Sequence, residues 1–320
     1  MTTAPIHTPP KTELRDRYRG TLLGLAVGNA LGLPVEGWSR ADIQEKHPGG
    51  IRDIGPLEIE LPWDDDLAQA VILCDAILEH DTLQNDDLAA RLVDWYESNG
   101  RGMGSQTREV ISALKLGMLP SEAARLVWER AGNEPAGNGA VMRCAPVAMR
   151  WPANRMKLLQ ETESSARITH HDPRCIWSAF AVNLAVADAL QGRTASVPAI
   201  AATLEELETG AITLQAVRAV PGRSLEDLHL EGRTMGFTLK AMQAGLWCLE
   251  NSADFEESLI AVIHAGGDTD TNGAVAGAIL GAIHGASAIP ERWTSAVARA
   301  DELTALADRI LERAVAAGEI

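Results

Sequence analysis

Apolar residues recur three and four positions apart along most of the chain, which is the spacing of one face of an α-helix. The pattern predicts helices over residues 14–33, 67–78, 88–96, 105–116, 121–130, 155–167, 174–190, 197–207, 237–249, 255–264, 271–285 and 291–316. Strand-like alternation of apolar and polar residues is short and rare, and residues 51–59 show it best. We therefore predict an all-α fold.

Two of the predicted helices carry a glycine at every fourth position. The first has Gly20, Gly24, Gly28 and Gly32, and the second has Gly273, Gly277, Gly281 and Gly285. Each glycine inside a helix costs about 1 kcal/mol relative to alanine. Such a stripe is therefore unfavourable unless a neighbouring backbone must come very close. We expect both helices to be central and tightly packed, with each other as candidate partners.

The length and composition of the chain suit one large domain. It has 320 residues, of which 46% are hydrophobic, and no linker rich in proline, serine or glycine divides it. The first 12 residues are polar and proline-rich without an apolar segment, so we expect a disordered tail rather than a secretory signal. We assign residues 13–320 to a single domain.

Charge, cysteine spacing and the length of apolar runs exclude several classes of protein. The net charge of −16 argues against binding to a nucleic-acid backbone, which demands a basic surface. The four cysteines are isolated, so we expect neither a zinc ribbon nor disulfides. The longest apolar run, residues 274–289, is too short to span a membrane. We expect a cytoplasmic protein that does not bind membranes.

Clusters of oxygen donors stand at the start of two predicted helices. Asp64, Asp65 and Asp66 precede the helix at 67–78, and the Asp-Thr-Asp-Thr segment at 268–271 leads into the helix at 271–285. Carboxylate and hydroxyl oxygens are the ligands that Mg²⁺ and Mn²⁺ prefer. The pattern therefore predicts that the two clusters meet in one metal site.

Helix capping is the alternative explanation of either cluster, because aspartate and threonine are favoured at helix N-termini. Capping needs only one such residue, however. Three consecutive aspartates repel one another unless a cation or a helix dipole offsets their charge. Gly266 and Gly267, directly before Asp268, indicate a backbone that approaches something closely or takes positive φ. Together the two clusters favour metal chemistry over capping.

Five segments resemble, in order, the ADP-ribosylglycohydrolase family. They are Gly20-Thr-Leu-Leu-Gly-Leu-Ala-Val-Gly-Asn-Ala-Leu-Gly-Leu-Pro-Val-Glu36, Trp63-Asp-Asp-Asp66, Gly137-Asn-Gly-Ala-Val-Met-Arg-Cys-Ala-Pro146, Thr169-His170 and Gly266-Gly-Asp-Thr-Asp-Thr-Asn-Gly-Ala-Val-Ala-Gly-Ala-Ile279. The family includes dinitrogenase reductase-activating glycohydrolases and hydrolases of ADP-ribosylarginine and ADP-ribosylserine. The last segment is highly specific.

The resemblance implies a single-domain orthogonal helical bundle that holds two divalent cations, Mg²⁺ or Mn²⁺, in a cleft for ADP-ribose. Two aspartates of a Thr-Asp-Asp-Thr element match Asp65 and Asp66, and Glu36 falls where the family has a glutamate near the scissile bond. We assign metal ligation to Asp64, Asp65, Asp66, Asp268, Asp270 and Thr271. We assign catalytic roles to Glu36, Asp65 and Asp268.

The chain departs from the family pattern at several positions. Asp64 and Leu67 replace the two threonines of the Thr-Asp-Asp-Thr element, and Asn29 replaces an aspartate often found in the first glycine-rich helix. Asp64 can still ligate a cation but Leu67 cannot, so we expect an asymmetric site. The loop at residues 101–104 has no acid where some relatives have one near the leaving group, which weakens the case for an arginine-linked substrate.

Substrate contacts are expected at Asn138, Gly139, His170, Gly266 and Gly267. The Gly-Asn-Gly loop opens a helical run, so its backbone N–H groups could cradle a pyrophosphate. A plain turn before a helix explains that loop equally well. The resemblance implies that His170 donates to a phosphate, and a capping or surface role is the alternative.

We predict a metal-dependent hydrolase that cleaves the glycosidic bond of an ADP-ribosylated protein or of a small ADP-ribosyl conjugate. Carboxylates suit this reaction because its transition state places positive charge on the sugar. One alternative is a glycohydrolase of a small-molecule ribosyl conjugate, and another is a non-catalytic family member that binds ADP-ribose. The retained metal ligands and Glu36 favour an enzyme over the second alternative.

Overall fold

The computed structural model describes residues 10–55, 61–80 and 82–320. Within these residues the chain forms helices joined by loops, with no β-strand, and one isolated antiparallel bridge pairs Gly137 with Phe237. The prediction of an all-α fold is confirmed.

The α-helices are numbered here in chain order. They are α1 Lys11–Gly32, α2 Arg40–Lys46, α3 Asp65–Glu79, α4 Asn85–Ser98, α5 Ser105–Lys115, α6 Pro120–Arg130, α7 Ala145–Arg150, α8 Arg155–Arg167, α9 Pro173–Leu190, α10 Val197–Glu206, α11 Ala211–Arg218, α12 Thr238–Asn251, α13 Phe255–His264, α14 Thr269–His284, α15 Glu291–Thr294 and α16 Ala300–Ala316. Short 3₁₀ turns follow α1, precede α12 and follow α14.

Helices α1 and α14 pack against each other along their glycine stripes. A Cβ atom added at Gly20, Gly24 or Gly28 would collide with the carbonyl oxygen of Gly281, Gly277 or Gly273 respectively. The backbones are thus too close for any side chain at these positions. The expectation that the two helices are central partners is confirmed.

The paired helices lie at the centre of the molecule. Helices α9, α12, α13 and α16 pack around them, and nearly every residue of α9 is buried. Both α1 and α14 also contact α3. This contact brings the N-terminal ends of α3 and α14, where the two oxygen clusters stand, to the same region of the fold.

The structure differs from the predicted elements in a few places. The predicted helix at 291–316 is two helices, because Arg299 takes a left-handed conformation with a φ of 60°. Two contacts with Trp63, which is distant in the sequence, stabilise the chain at this break. Trp63 Nε1 donates to the Ala298 carbonyl oxygen at 2.9 Å, and the Arg299 guanidinium lies 4.1 Å from the centre of the Trp63 ring. Helices α2, α7 and α11 are too short to show a clear period and were not predicted.

The predicted strand and the predicted tail also differ from the structure. Residues 51–55 form a loop with no neighbouring strand among the described residues, and residues 56–59 of the predicted strand lie outside them. Helix α1 begins at Lys11, so the last two residues of the predicted tail are helical, and residues 1–9 lie outside the described residues. Among the described helices, none combines the length and the apolar character needed to cross a bilayer.

Candidate active site

A cleft of about 530 Å³ opens at the N-terminal ends of α3, α5 and α14. Its lining includes Glu36, Asp65, Asp66, Asn138, Gly139, His170, Asp268, Asp270 and Thr271, all of them predicted site residues. It also includes residues that the sequence analysis missed, among them Gln106, Thr107, Glu109, Val127, Pro135, Arg233 and Phe237. Asp64, Gly266 and Gly267 are not among the lining residues.

The start of α14 carries one set of carboxylates into the cleft. Asp268 occupies the N-cap position without capping the helix through its side chain, and Asp270 lies in the first turn. Glu36, which follows the 3₁₀ turn after α1, joins them: each of the three residues offers a carboxylate oxygen within 4.8 Å of the other two. The side chain of Asp268 is held in place by Asn138, whose Nδ2 donates to Asp268 Oδ2 at 2.7 Å.

Gly266 and Gly267 hold the loop before Asp268 rather than line the cleft. Both have positive φ, 77° and 83°, and a Cβ atom on either would collide with a neighbouring backbone. The Gly267 N–H donates to the Trp38 carbonyl at 2.9 Å, and the Gly37 N–H donates to the Gly267 carbonyl at 2.8 Å. The close approach predicted for Gly266 and Gly267 is therefore to other loops of the chain and not to a ligand in the cleft. These contacts hold Glu36 beside Asp268.

The start of α3 carries the second set of carboxylates. Asp64 is the N-cap residue and Asp65 and Asp66 begin the helix; all three are buried, and each offers an oxygen within 4.8 Å of the other two. Asp64 is not among the residues that line the cleft, and its Oδ1 lies 3.8 Å from the Arg101 Nε. Gly102 lies so close to Asp64 and Asp65 that a Cβ atom there would collide with their carboxylates.

The two sets of carboxylates meet in the same cleft. Thr271, on α14, hydrogen-bonds to Asp66, on α3. Asn29, on α1, adds a longer contact from its Nδ2 to Asp66 Oδ2 at 3.4 Å. We call the cleft surface formed by Glu36, Asp65, Asp66, Asp268 and Asp270 the acidic half of the cleft.

The electrostatics of the acidic half are unfavourable for the protein alone. Burial, followed by the charge of neighbouring aspartates, raises the pKa values of Asp65, Asp66 and Asp270 well above the usual range. Burial, with Asp268 and Asp64, also raises the pKa of Glu36. Asp66 Oδ1 and Asp270 Oδ1 are buried and accept no hydrogen bond from any described residue. Divalent cations fit this donor set, because they would ligate both oxygens and offset the clustered charge.

Another part of the cleft lining presents hydrogen-bond donors. We call Gln106, Gly139 and His170 the donor half of the cleft. Asn138 stands between the two halves, because its side chain is bonded to Asp268. The His170 ring packs directly on Gly139, where a Cβ atom would collide with ring carbon Cε1. The N–H of Gly139 donates to no acceptor among the described residues. Gln106 comes from the first turn of α5, and no pattern in the sequence shows that this turn faces the same cleft as residues 138–139.

The clustered carboxylates in the cleft of this all-α fold fit a hydrolase of glycosidic bonds, because carboxylates stabilise positive charge on a sugar. The model of the ADP-ribosylglycohydrolase family matches residues 10–319. The chain belongs to this family.

Individual relatives are similar over nearly the whole chain. An uncharacterised protein of Archaeoglobus fulgidus is 32% identical, covering 93% of this chain and 97% of the relative. ADP-ribosylarginine hydrolase Tri1 of Pseudomonas putida is 25% identical, covering 95% and 80%. A solved structure described as an ADP-ribosylglycohydrolase-related protein complex has a TM-score of 0.75 and 29% identity, covering 95% of this chain and 99% of that one.

Proposed function

We propose that this chain removes ADP-ribose from an ADP-ribosylated substrate by hydrolysis, with two divalent cations, Mg²⁺ or Mn²⁺, held in the acidic half. The observation that carries the proposal is the meeting of two acidic sets at one cleft, where Asp66 and Asp270 each have a buried oxygen with no hydrogen-bond partner among the described residues. Family membership supports the choice of ADP-ribose.

The ligands we propose are Asp64, Asp65, Asp66, Asp268, Asp270 and Thr271. Asp64 is the weakest member, because it lies outside the cleft lining and opposite Arg101. Leu67 offers no ligand atom, so the proposed metal site is asymmetric, as expected from the sequence. When bound, the cations would supply positive charge that binds the ribose hydroxyls and lowers the pKa of a water molecule.

Glu36 is the proposed proton carrier of the reaction. It lies at the edge of the acidic half, and burial, Asp268 and Asp64 raise its pKa. A carboxyl group with a raised pKa can take a proton from the attacking water or give one to the leaving group at its Oε atoms. Asp65 and Asp268 would face the sugar as its positive charge develops, which stabilises that charge.

The remaining surfaces of the cleft suit the rest of ADP-ribose. The free N–H of Gly139 and the edge of His170 are proposed to bind the diphosphate. Val127, Pro135 and Phe237 provide apolar lining suited to the face of a base.

The group attached to ADP-ribose is a protein side chain or a small molecule, and the lining of the cleft bears on which. The loop at 101–104 carries no acid, but Glu109 lines the cleft one turn into α5. Glu109 is therefore a candidate contact for a cationic leaving group such as the guanidinium of arginine.

Turnover assays test the proposal directly. ADP-ribosyl-arginine, ADP-ribosyl-serine and small ADP-ribosyl conjugates are each incubated with the protein in Mg²⁺ or Mn²⁺, against a chelated control. We expect release of ADP-ribose from at least one substrate, with metal only. Tight binding of ADP-ribose without any turnover would identify a non-catalytic family member, and neither binding nor turnover would refute the proposal.

A further inference from the structure

His170 is a buried residue of the donor half, and the edge of its ring lines the cleft. It is 2% exposed, and Nε2 is the ring nitrogen nearest to the Gly137 side of the cleft. The other ring nitrogen, Nδ1, points inward to Thr169 Oγ1 at 2.8 Å. Which nitrogen carries the proton decides whether His170 offers the cleft a donor or an acceptor.

The partner of Thr169 decides the direction of that inner hydrogen bond. A nitrogen of the Arg143 guanidinium, NH2, donates to Thr169 Oγ1 at 2.7 Å. A guanidinium has donors only, so the Thr169 hydroxyl must accept from Arg143. The hydroxyl oxygen could accept a second bond, but its one proton also needs an acceptor, and among the described residues the partner within reach is His170 Nδ1. If Nδ1 carried a proton instead, the buried hydroxyl proton would have no acceptor among those residues, so the hydroxyl donates to Nδ1.

Arg143 is fixed firmly enough to set this direction. Its side chain is 1% exposed, and it also donates to Gln69 Oε1 at 2.5 Å and to the Ser165 carbonyl at 2.9 Å. Burial lowers its pKa to about 10, which leaves it charged at neutral pH. The two anchors, Gln69 and Ser165, lie on α3 and α8.

The imidazole ring is neutral in this setting. Burial, with a smaller contribution from the Arg143 charge, lowers the pKa of His170 to about 3. A neutral ring has one proton, and an Nδ1 that accepts from Thr169 leaves that proton on Nε2.

We propose that Arg143 and Thr169 are positioning residues that hold His170 as the neutral Nε2–H tautomer, so that it donates to an anionic oxygen in the cleft. The tautomer follows from the hydrogen bonds of the protein alone. Identifying the anionic oxygen as one of the diphosphate of ADP-ribose rests on the proposed function.

A donor of this kind suits the cleft chemically. It binds an anion without adding a second positive charge beside Arg143. It also stays a donor across the pH range in which an exposed histidine would titrate. The carboxylates of the acidic half would attract a protonated histidine, whereas a neutral one leaves them available to other ligands.

Side-chain NMR measures the tautomer without any ligand. Long-range ¹H–¹⁵N correlation spectra of the ¹⁵N-labelled protein separate protonated from unprotonated ring nitrogens, and His170→Gln assigns the signal among the 8 histidines. At neutral pH we expect Nδ1 unprotonated and Nε2 protonated. A protonated Nδ1 in the unmodified protein would overturn the proposal, whatever the behaviour of the variants.

Variants of Thr169 test the cause. Thr169→Val removes the hydroxyl and is expected to mix the tautomers and weaken ADP-ribose binding about tenfold, whereas Thr169→Ser restores both. Thr162→Val is the matched control, because Thr162 is equally buried, accepts from Asn183 Nδ2 at 2.8 Å and donates to the Leu158 carbonyl at 2.6 Å, without contacting His170.

The outcomes separate this inference from the proposed function. An unchanged tautomer in Thr169→Val, or an equal change in Thr162→Val, would refute the positioning role. Failure of ADP-ribose to bind the unmodified protein by calorimetry would count against the proposed function, while the NMR result would still decide the tautomer.

Discussion

The acidic half and the donor half of the cleft differ in how far the protein itself provides partners for their polar groups. In the acidic half, burial and then the neighbouring carboxylates raise the pKa values of Asp66 and Asp270, and each of the two has a buried oxygen with no hydrogen-bond partner among the described residues. In the donor half, the inner nitrogen of His170 is already bonded to Thr169, and Thr169 to Arg143. The acidic half therefore depends on something it must bind, whereas the donor half is organised in advance.

This difference predicts that substitutions in the two halves will have different effects on binding and turnover. A change in the acidic half should remove cation binding and turnover while sparing or improving the metal-free fold. A change in the donor half should weaken binding of the substrate while leaving the cations in place.

Asp270→Asn is expected to reduce turnover by more than about 100-fold, since even residues that only support a metal ligand cost 10–100-fold when changed. The metal-free protein should be as stable as the unmodified one or more stable, because a repulsive charge is removed. Turnover and thermal unfolding without metal measure both effects.

Asp254→Asn provides the matched control for that substitution. Asp254 caps α13 by accepting from the Glu257 N–H at 2.9 Å, away from the cleft, and asparagine caps about as well. The control should keep full turnover. If Asp270→Asn also keeps full turnover with metal bound, Asp270 is structural and the contrast between the halves is lost.

Adding Mg²⁺ or Mn²⁺ is expected to stabilise the folded protein, because the acidic half binds cations only when folded. A cation at 100 times its Kd contributes about 2.7 kcal/mol per site. Thermal unfolding followed over a metal titration measures the effect. Asp270→Asn should lose most of the stabilisation and His170→Gln should retain it; equal responses in both variants would contradict a metal site confined to the acidic half.

His170→Gln is expected to weaken ADP-ribose binding by roughly 10–100-fold, because a placed donor to a charged oxygen contributes about 1.5–3 kcal/mol. Calorimetric titration with ADP-ribose and, separately, with the cation measures the two halves independently. The cation affinity should stay within about twofold. A parallel loss of cation affinity would show that the halves are coupled.

Asp64→Thr is expected to have the smallest effect, a several-fold weaker cation affinity with turnover still measurable. The expectation follows from the position of Asp64, which faces Arg101 at 3.8 Å and does not line the cleft. If Asp64 instead acts as the base on the attacking water, turnover should fall by roughly 10²–10⁴-fold with cation affinity nearly intact. Unchanged values of both would assign Asp64 to neither role.

Features that depend on neighbouring positions in the chain were predictable from the sequence. The helical period gave the main helices, and the energetic cost of glycine indicated that the stripes on α1 and α14 must meet. The oxygen clusters could be placed at helix starts because residues 64–66 and 268–271 lead into apolar helical runs.

Only the tertiary structure decided which of these residues act together. Nothing near Asp64 in the sequence shows that Arg101 lies opposite it, and nothing near Gly266 shows that it packs on residues 38–40. The hydrogen bonds from Arg143 to Thr169 and from Thr169 to His170 join residues that are up to 26 positions apart in the sequence. Periodicity and propensity act over a few residues, whereas burial, charge and hydrogen-bond direction depend on whatever the fold brings near.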